Sequence, residues 1–195
     1  MNGLRIGFAL SGSFCTFDRV LQEVETLQEA GAEITPIMSF NAAGLDTRFG
    51  RAEDFKKRLR EITGREPLLT LTEVEPVGPK GLFDVLVVAP CTGTTLGRLA
   101  NGISDTPVTL AAKSLLRVGC PVVVGISTND GLGASGENLA RLFQRKHYFF
   151  VPYGQDDPIQ KPSSLKADLS SLPAALEAAL QGRQLQPVLL GQRSA

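Results

Sequence analysis

Short apolar runs recur along the chain and are typical of strands that are buried on both faces of a parallel sheet. The clearest run covers residues 85–89 and is rich in valine. Similar runs predict further strands at residues 5–10, 33–40, 121–126 and 148–151. Because Pro90 has no N–H to donate to a central ladder, we expect the third strand to end before it.

Between these runs, apolar residues recur at helical spacing. The predicted helices cover residues 17–27, 55–62, 96–103, 110–116, 139–143 and 172–180. Gly31, after the first of these helices, and Gly102, at the end of the third, are predicted helix stops. Strands that alternate with helices predict an α/β fold, a doubly wound, Rossmann-like parallel sheet with helices on both faces.

Three segments lack a clear period. Residues 64–80 form a loop-rich excursion with a possible short strand at 68–71, and residues 155–164 predict an irregular loop. The chain after residue 180 predicts a frayed tail. We therefore expect one domain over residues 1–195, with a loop-rich part from about residue 153.

Composition narrows the possible functions. The 20 basic and 20 acidic residues balance, which argues against nucleic acid or an anionic membrane as a partner. No apolar run has the length of a membrane span, and a strand pattern begins almost at Met1, so we expect a cytoplasmic protein. Three cysteines without metal-ligand spacing and a single histidine, His147, favour no metal site. We assign the cysteines to packing, with a redox role as the alternative for Cys91 in the predicted cofactor turn, and we assign His147 to the surface.

Polar residues mark the carboxyl ends of four predicted strands. They are Ser11, Gly12 and Ser13 after the first, Ser39 and Asn41 at the end of the second, Thr92, Gly93, Thr94 and Thr95 after the third, and Ser127, Thr128 and Asn129 after the fourth. In open α/β sheets, ligands bind beyond the carboxyl ends of the strands. The four clusters together predict a site for a nucleotide-like cofactor with a phosphate, although each cluster alone also fits an ordinary turn or a capped helix.

The Ser-Gly-Ser turn and the run Ala-Pro-Cys-Thr-Gly-Thr-Thr-Leu-Gly-Arg-Leu-Ala-Asn-Gly-Ile-Ser-Asp resemble the flavoprotein family that includes FMN-dependent cysteine decarboxylases. The resemblance implies FMN, with its phosphate at residues 11–13 and its rings near Ser39 and residues 92–95. Ser127 and Thr128 are included in this predicted cofactor site. The resemblance also implies a homo-oligomer, a trimer or larger, with FMN at subunit interfaces.

A second resemblance covers nearly the whole chain. Residues 47–50, 125–130, 152–162 and 185–187 are similar to the family of dipicolinate synthase B subunits of spore-forming bacteria. This resemblance implies a part in oxidising dihydrodipicolinate to dipicolinate during sporulation. It further implies an A subunit as partner, with its own NADP(H) site, and oxidoreductase activity only in that complex. Residues 155–164 are the predicted contact with this partner, or a lid.

The substrate of such a reaction carries two carboxylates, and a planar guanidinium binds a carboxylate through paired hydrogen bonds. Arg48 is the predicted substrate ligand, since its loop leaves the carboxyl end of the second strand. Asn41 and Asn129 are predicted to add neutral donors. No residue is assigned as catalytic.

Two alternatives to a flavin-site oxidoreductase subunit stay open. The chain could be a scaffold with an FMN-type fold that supports the A subunit without catalysis. It could also be a flavin-dependent decarboxylase. The absence of a histidine from residues 64–80 disfavours that second alternative, since the decarboxylases use one there.

Overall fold

The computed structural model describes residues 1–191, which fold around a twisted sheet. Its parallel strands are β1 (Arg5–Leu10), β2 (Glu33–Met38), β3 (Val85–Cys91), β4 (Val122–Thr128) and β5 (Tyr148–Phe150). They lie in the order β2-β1-β3-β4-β5. The chain order reverses between β1 and β3, and ligands in such sheets bind at this switch point. The predicted doubly wound fold is confirmed.

Helices cover the sheet in two groups. One group consists of α1 (Phe17–Glu29), α3 (Ala52–Thr63) and α8 (Leu172–Leu180), and the other of α4 (Leu71–Val74), α5 (Gly93–Asn101), α6 (Pro107–Leu116) and α7 (Ala134–Phe143). Every residue of β3 is buried, and side chains of a strand alternate between faces, so both faces of the sheet are covered. Among the helices of residues 1–191, none combines the length and the apolar character needed to cross a membrane.

The third strand continues beyond the predicted stop at Pro90. It runs to Cys91, with a register shift against β4 between Val88 and Cys91. Pro90 lacks a donor, but its carbonyl still accepts a hydrogen bond from the Ser11 N–H at 3.2 Å. The irregular pairing therefore tolerates the proline and extends the strand toward the end of β1.

A β-hairpin replaces the predicted irregular loop at residues 155–164. The hairpin consists of β6 (Tyr153–Asp157) and β7 (Lys161–Ala167), and β7 pairs antiparallel with Ser127 and Thr128 of β4. The prediction was wrong because this polar, proline-containing segment shows no alternation of apolar and polar residues. Its strands are instead held by backbone pairing with the end of β4, which makes the whole sheet mixed.

Two smaller predictions also fail. In the excursion at residues 64–80, Leu68 forms only a single bridge to Ile37, and the chain then enters the helical turn α4. Residues 181–191 are not frayed, because Leu185 and Val188 pack against the core and the Val188 carbonyl accepts from Tyr153 N–H at 3.0 Å. Residues 192–195 of the predicted tail lie outside the described residues.

Candidate functional site

The carboxyl ends of β1, β3 and β4 open into one cleft of about 610 Å³. This volume is typical of sites for small molecules and cofactors. The residues predicted for the site that line it are Gly12, Ser13, Arg48, Thr92, Gly93, Thr94, Ser127, Thr128 and Asn129. Three of the four predicted polar clusters therefore meet in one cavity.

The turn after β1 forms one wall of this cleft. The Ser13 hydroxyl lies 2.8 Å from the hydroxyl of Ser127, which links the turn to the end of β4. A Cβ atom at Gly12 would lie 3.5 Å from the Phe14 ring and 3.6 Å from the Asn41 Cβ, which are ordinary contacts. The glycine is thus not required by packing, and it leaves the backbone of the turn open to a ligand.

Ser11 was predicted to bind the cofactor, but it does not line the cleft. Its buried hydroxyl donates to the Pro90 carbonyl at 2.6 Å and accepts from the Thr92 N–H at 3.0 Å. Ser11 therefore joins the ends of β1 and β3 and positions the start of α5.

The threonines after β3 form the start of helix α5. Thr92 is its N-cap, with a side-chain oxygen that accepts from the Thr95 N–H at 3.3 Å. Thr95 is buried and its hydroxyl accepts from the Thr92 hydroxyl at 3.1 Å; unlike Thr94, it does not line the cleft. The first N–H groups of a helix have no partners within it and attract anions.

Gly93 is required by packing. A Cβ atom there would lie 2.6 Å from Ser135 Oγ, 2.7 Å from Thr128 Oγ1 and 2.8 Å from Asp130 Oδ1. Real Cβ atoms do not approach that closely, so only glycine lets α5 start against the end of β4.

Asp130 lines the cleft and was not among the predicted site residues. Its Oδ1 accepts from the Thr128 hydroxyl at 2.5 Å. This hydrogen bond, helped by one from Ser135, holds the pKa of the Asp130 carboxyl below its usual value. Asp130 directly follows the polar run 127–129, and that proximity in sequence is the signal that would have identified it.

The cluster after β2 lies beside the cleft and not on its wall. Ser39 is buried and caps a short helix, α2 (Phe40–Gly44), by accepting from the Ala42 N–H at 3.2 Å. Asn41 is exposed, close to where a Cβ of Gly12 would lie. Short polar residues serve both as caps and as ligands, which is why the sequence did not distinguish these roles.

Arg48 reaches the cleft as predicted from its loop. Its guanidinium carbon lies 4.8 Å from the centroid of the Phe49 ring, a distance at which the cation is attracted to the ring face. Both side chains are exposed, and Phe49 also lines the cleft. Arg48 therefore presents a positive charge at the mouth of the site.

The hairpin supplies a side of the cleft that the sequence did not predict, through residues Asp156, Lys161, Ser164, Leu165 and Lys166. Asp156 forms ion pairs with Lys161 at 2.8 Å and Lys166 at 3.7 Å. The hydrogen bond from Lys161 lowers the pKa of the Asp156 carboxyl, and the same bond raises the pKa of Lys161. Pairing of β6 with β7 brings these charges together, and pairing of β7 with β4 places them beside the cleft.

The histidine lies away from the cleft, and of the three cysteines Cys15 lines it. His147 is exposed, and its carbonyl accepts from Val122 N–H at the amino end of β4, opposite the cleft. Cys91 and Cys120 are buried, and burial raises the pKa of both thiols, that of Cys120 to about 11. The assignment of Cys15 to packing is wrong, because this cysteine is exposed and lines the cleft.

Comparison with known proteins identifies the family of this chain. The sequence model of the flavoprotein family matches residues 1–132. The B subunit of dipicolinate synthase from Bacillus subtilis (strain 168) is 46% identical over 190 residues, which cover 97% of this chain and 95% of that protein.

Two solved structures extend the similarity to the fold. The crystal structure of the dipicolinate synthase B subunit from Bacillus halodurans C is similar with a TM-score of 0.90 and 44% identity, over 99% of this chain and 100% of that one. DmrB of Burkholderia xenovorans, solved in complex with FMN, is similar with a TM-score of 0.68 and 21% identity, over 91% of this chain and 96% of that one. The second likeness is one of fold alone.

Proposed function

Because this chain belongs to the flavoprotein family, and within it to the dipicolinate synthase B subunits, we propose that it binds FMN in the cleft. The observation that carries the proposal is the convergence of the Gly12–Ser13 turn, the start of α5 and the end of β4 on one cavity. DmrB, which shares the fold, has been solved with FMN bound.

The donors present in the cleft fit a flavin nucleotide. The turn at Gly12 and Ser13 has the open backbone that a phosphate group needs, and the Ser13 hydroxyl adds a donor. The start of α5 at Thr94 supports negative charge in the same space. The flavin rings would then lie toward Thr92 and Ser127. Ser39, which was also predicted to lie near the rings, does not line the cleft.

We propose that the chain takes part, with an A subunit, in oxidising dihydrodipicolinate to dipicolinate. The relatives' name supports the reaction and the existence of a partner. The oxidation removes one hydride and one proton from the dihydropyridine ring. Bound FMN supplies a hydride acceptor, and NADP⁺ on the A subunit is the proposed final oxidant.

This chain's own residues bind and orient the substrate in the proposal. Arg48 would hold one carboxylate at the mouth of the cleft, and the amide of Asn129 would donate a further hydrogen bond. Asn41 lies beside the turn and would contribute from its edge. A decarboxylase reaction is disfavoured, because residues 64–80 hold no histidine and His147 lies at the opposite end of β4.

We propose that the chain forms a homo-oligomer, a trimer or larger, in the cytoplasm. Three large apolar side chains within ten residues support association: Phe40 and Leu45 are each 49% exposed, and Phe49 is 44% exposed. They flank the cleft through the α2–α3 segment, where a second copy of the chain would cover them. The free state of Cys15, Cys91 and Cys120 agrees with a reducing compartment.

Titration of the purified protein with FMN tests the proposal. We expect quenched flavin fluorescence and a shifted visible absorption spectrum, with a stoichiometry of one FMN for each chain. Consumption of dihydrodipicolinate is then measured with and without the A subunit and NADP⁺. If FMN does not bind while the A subunit still does, the chain is a scaffold and the proposed cofactor role is wrong.

A further inference from the structure

The β6–β7 hairpin places two lysines on the cleft. In the antiparallel pairing of β7 with β4, Lys166 lies directly opposite Ser127. Residues directly opposite each other in such a pair project from the same face of the sheet. The Lys166 side chain therefore lies on the face that carries the Ser13–Ser127 contact, and both Lys166 and Lys161 line the cavity.

The two ammonium groups share one carboxylate. Asp156 Oδ2 is 2.8 Å from Lys161 Nζ, whereas Asp156 Oδ1 is 3.7 Å from Lys166 Nζ. The second distance is beyond that of a hydrogen bond, and each ammonium has three donors. Both lysines therefore have donors that Asp156 does not use.

The other charges of the cleft leave this pair with an excess of positive charge. Among the described lining residues, Arg48, Lys161 and Lys166 are cations, and Asp130 and Asp156 are anions. Asp130 is held by hydrogen bonds from Thr128 and Ser135 and is not paired with either lysine. Lys161 and Lys166 exceed the Asp156 that they share by one positive charge, which suits a single carboxylate of a ligand.

Residues of the hairpin and of the turn after β1 line the same cleft. Lys161 contributes from the hairpin and Cys15 from the turn. Cys15 belongs to the turn after β1, where its sulfur lies 3.9 Å from the Ser13 hydroxyl. The hairpin and the turn therefore both border the space that a ligand would enter.

We propose that Lys161 and Lys166 together bind one carboxylate of a planar aromatic dicarboxylate, in the place where Asp156 now neutralises them. Arg48 then binds the second carboxylate from the mouth of the cleft. This inference rests on the proposed function, because it identifies the residues that recognise that substrate class. The ligand carboxylate replaces Asp156 as the partner of the ammonium groups, so the lysines are not left uncompensated before binding.

Opposite changes in affinity distinguish this arrangement from a merely structural ion pair. Lys161→Gln and Lys166→Gln each remove a charged donor and should weaken dicarboxylate binding by about tenfold or more. Asp156→Asn removes the competing carboxylate and should strengthen binding severalfold. Lys161→Arg keeps the charge and should retain most of the affinity.

The matched control is Lys57→Gln on α3. Lys57 forms an ion pair with Glu61 at 3.7 Å, the distance found between Lys166 and Asp156, but it does not line the cleft. This substitution removes the same charge and should leave the affinity unchanged. Thermal unfolding of every variant checks that the hairpin and the fold are retained.

Isothermal titration of the FMN-loaded protein with pyridine-2,6-dicarboxylate measures these affinities, with pyridine-2-carboxylate as the probe that lacks one carboxylate. FMN affinity is measured in each variant by flavin fluorescence.

Unchanged dicarboxylate affinity in both lysine variants, or weaker binding in Asp156→Asn, would overturn the inference and leave the cofactor role standing. Loss of FMN binding in the lysine variants would assign the lysines to the phosphate instead. If the parent protein binds FMN but not the dicarboxylate, the inference is wrong, and if it does not bind FMN, the proposed function is wrong as well.

Discussion

The hydroxyl oxygens of Ser13 and Ser127 lie 2.8 Å apart, although the residues are 114 positions apart in the chain. The contact joins the turn after β1 to the carboxyl end of β4, across the end of β3 that lies between them in the sheet. This hydroxyl pair therefore links two of the segments that line the cleft. Ligand binding should accordingly depend on the turn, on the strand ends and on the charged groups around them.

Gly12→Val should strongly weaken FMN binding. A Cβ at this position makes ordinary contacts of 3.5 Å and 3.6 Å, so the fold accommodates a side chain, but its methyl groups would occupy the space beside the backbone of the turn. We expect at least a tenfold loss of affinity in a flavin fluorescence titration, with an unchanged unfolding temperature.

Gly191→Val is the matched control for that substitution. Gly191 lies outside the cleft, and a Cβ there would have no neighbour within 4 Å. FMN affinity should equal that of the parent protein. Equal FMN affinity in Gly12→Val would show that the phosphate does not bind at this turn.

Ser11→Ala should destabilise the protein by about 1–3 kcal/mol, because the Thr92 N–H and the Pro90 carbonyl lose a buried partner. Urea unfolding followed by circular dichroism measures this difference. Ser170→Ala is the control, since the exposed Ser170 hydroxyl makes one bond, to Asp168, and should cost within about 0.5 kcal/mol. A loss at Ser11 no larger than that at Ser170 would contradict its role in joining β1 to β3.

Arg48→Lys should weaken substrate binding more than it slows turnover. The substitution keeps the positive charge but loses the planar pair of donors. A single hydrogen bond to a charged group contributes on the order of 1.5–3 kcal/mol. Steady-state kinetics of the complex with the A subunit should show a raised KM. Arg51→Lys, which changes a nearby arginine that does not line the cleft, is the control. An unchanged kcat/KM in Arg48→Ala would exclude the residue.

Ile159→Asp should weaken binding of the A subunit. Ile159 is 92% exposed at the turn between β6 and β7, where an apolar side chain gains nothing within this chain. Val118→Asp is the control, because Val118 is 54% exposed after α6 and far along the chain from the hairpin. Co-purification with tagged A subunit measures both. Undiminished binding by the Ile159 variant would remove the hairpin turn from the interface.

Acid should destabilise the protein partly through Asp130. Hydrogen bonds from Thr128 and Ser135 lower the folded-state pKa of this carboxyl, so its stabilising effect is present above the unfolded-state pKa of about 3.9. That effect is lost as the pH falls through the lower, folded-state pKa. Urea midpoints measured between pH 7 and pH 2 should therefore fall less steeply in Asp130→Asn than in the parent protein. Parallel curves for the two proteins would contradict this assignment.

The sequence itself determined the order of strands and helices, because the spacing of apolar residues within each segment shows which of its faces is buried. The runs that became β1 and β4 have no competing pattern, and Gly102 ends α5 in a left-handed conformation as its position indicated. The polar clusters after β1, β3 and β4 were also placed correctly on one edge, since parallel strands end on the same side of a sheet.

Only the tertiary structure decided which polar residues face the cleft and which support it. Ser11 and Ser13 are alike in sequence, yet one hydroxyl is buried against Pro90 and the other lines the cavity. The lysines of the hairpin were not predicted for the same reason. Lys161 and Lys166 reach the site through pairing of β7 with β4. Such pairing between distant segments depends on backbone hydrogen bonds, which leave no periodic pattern in a polar segment.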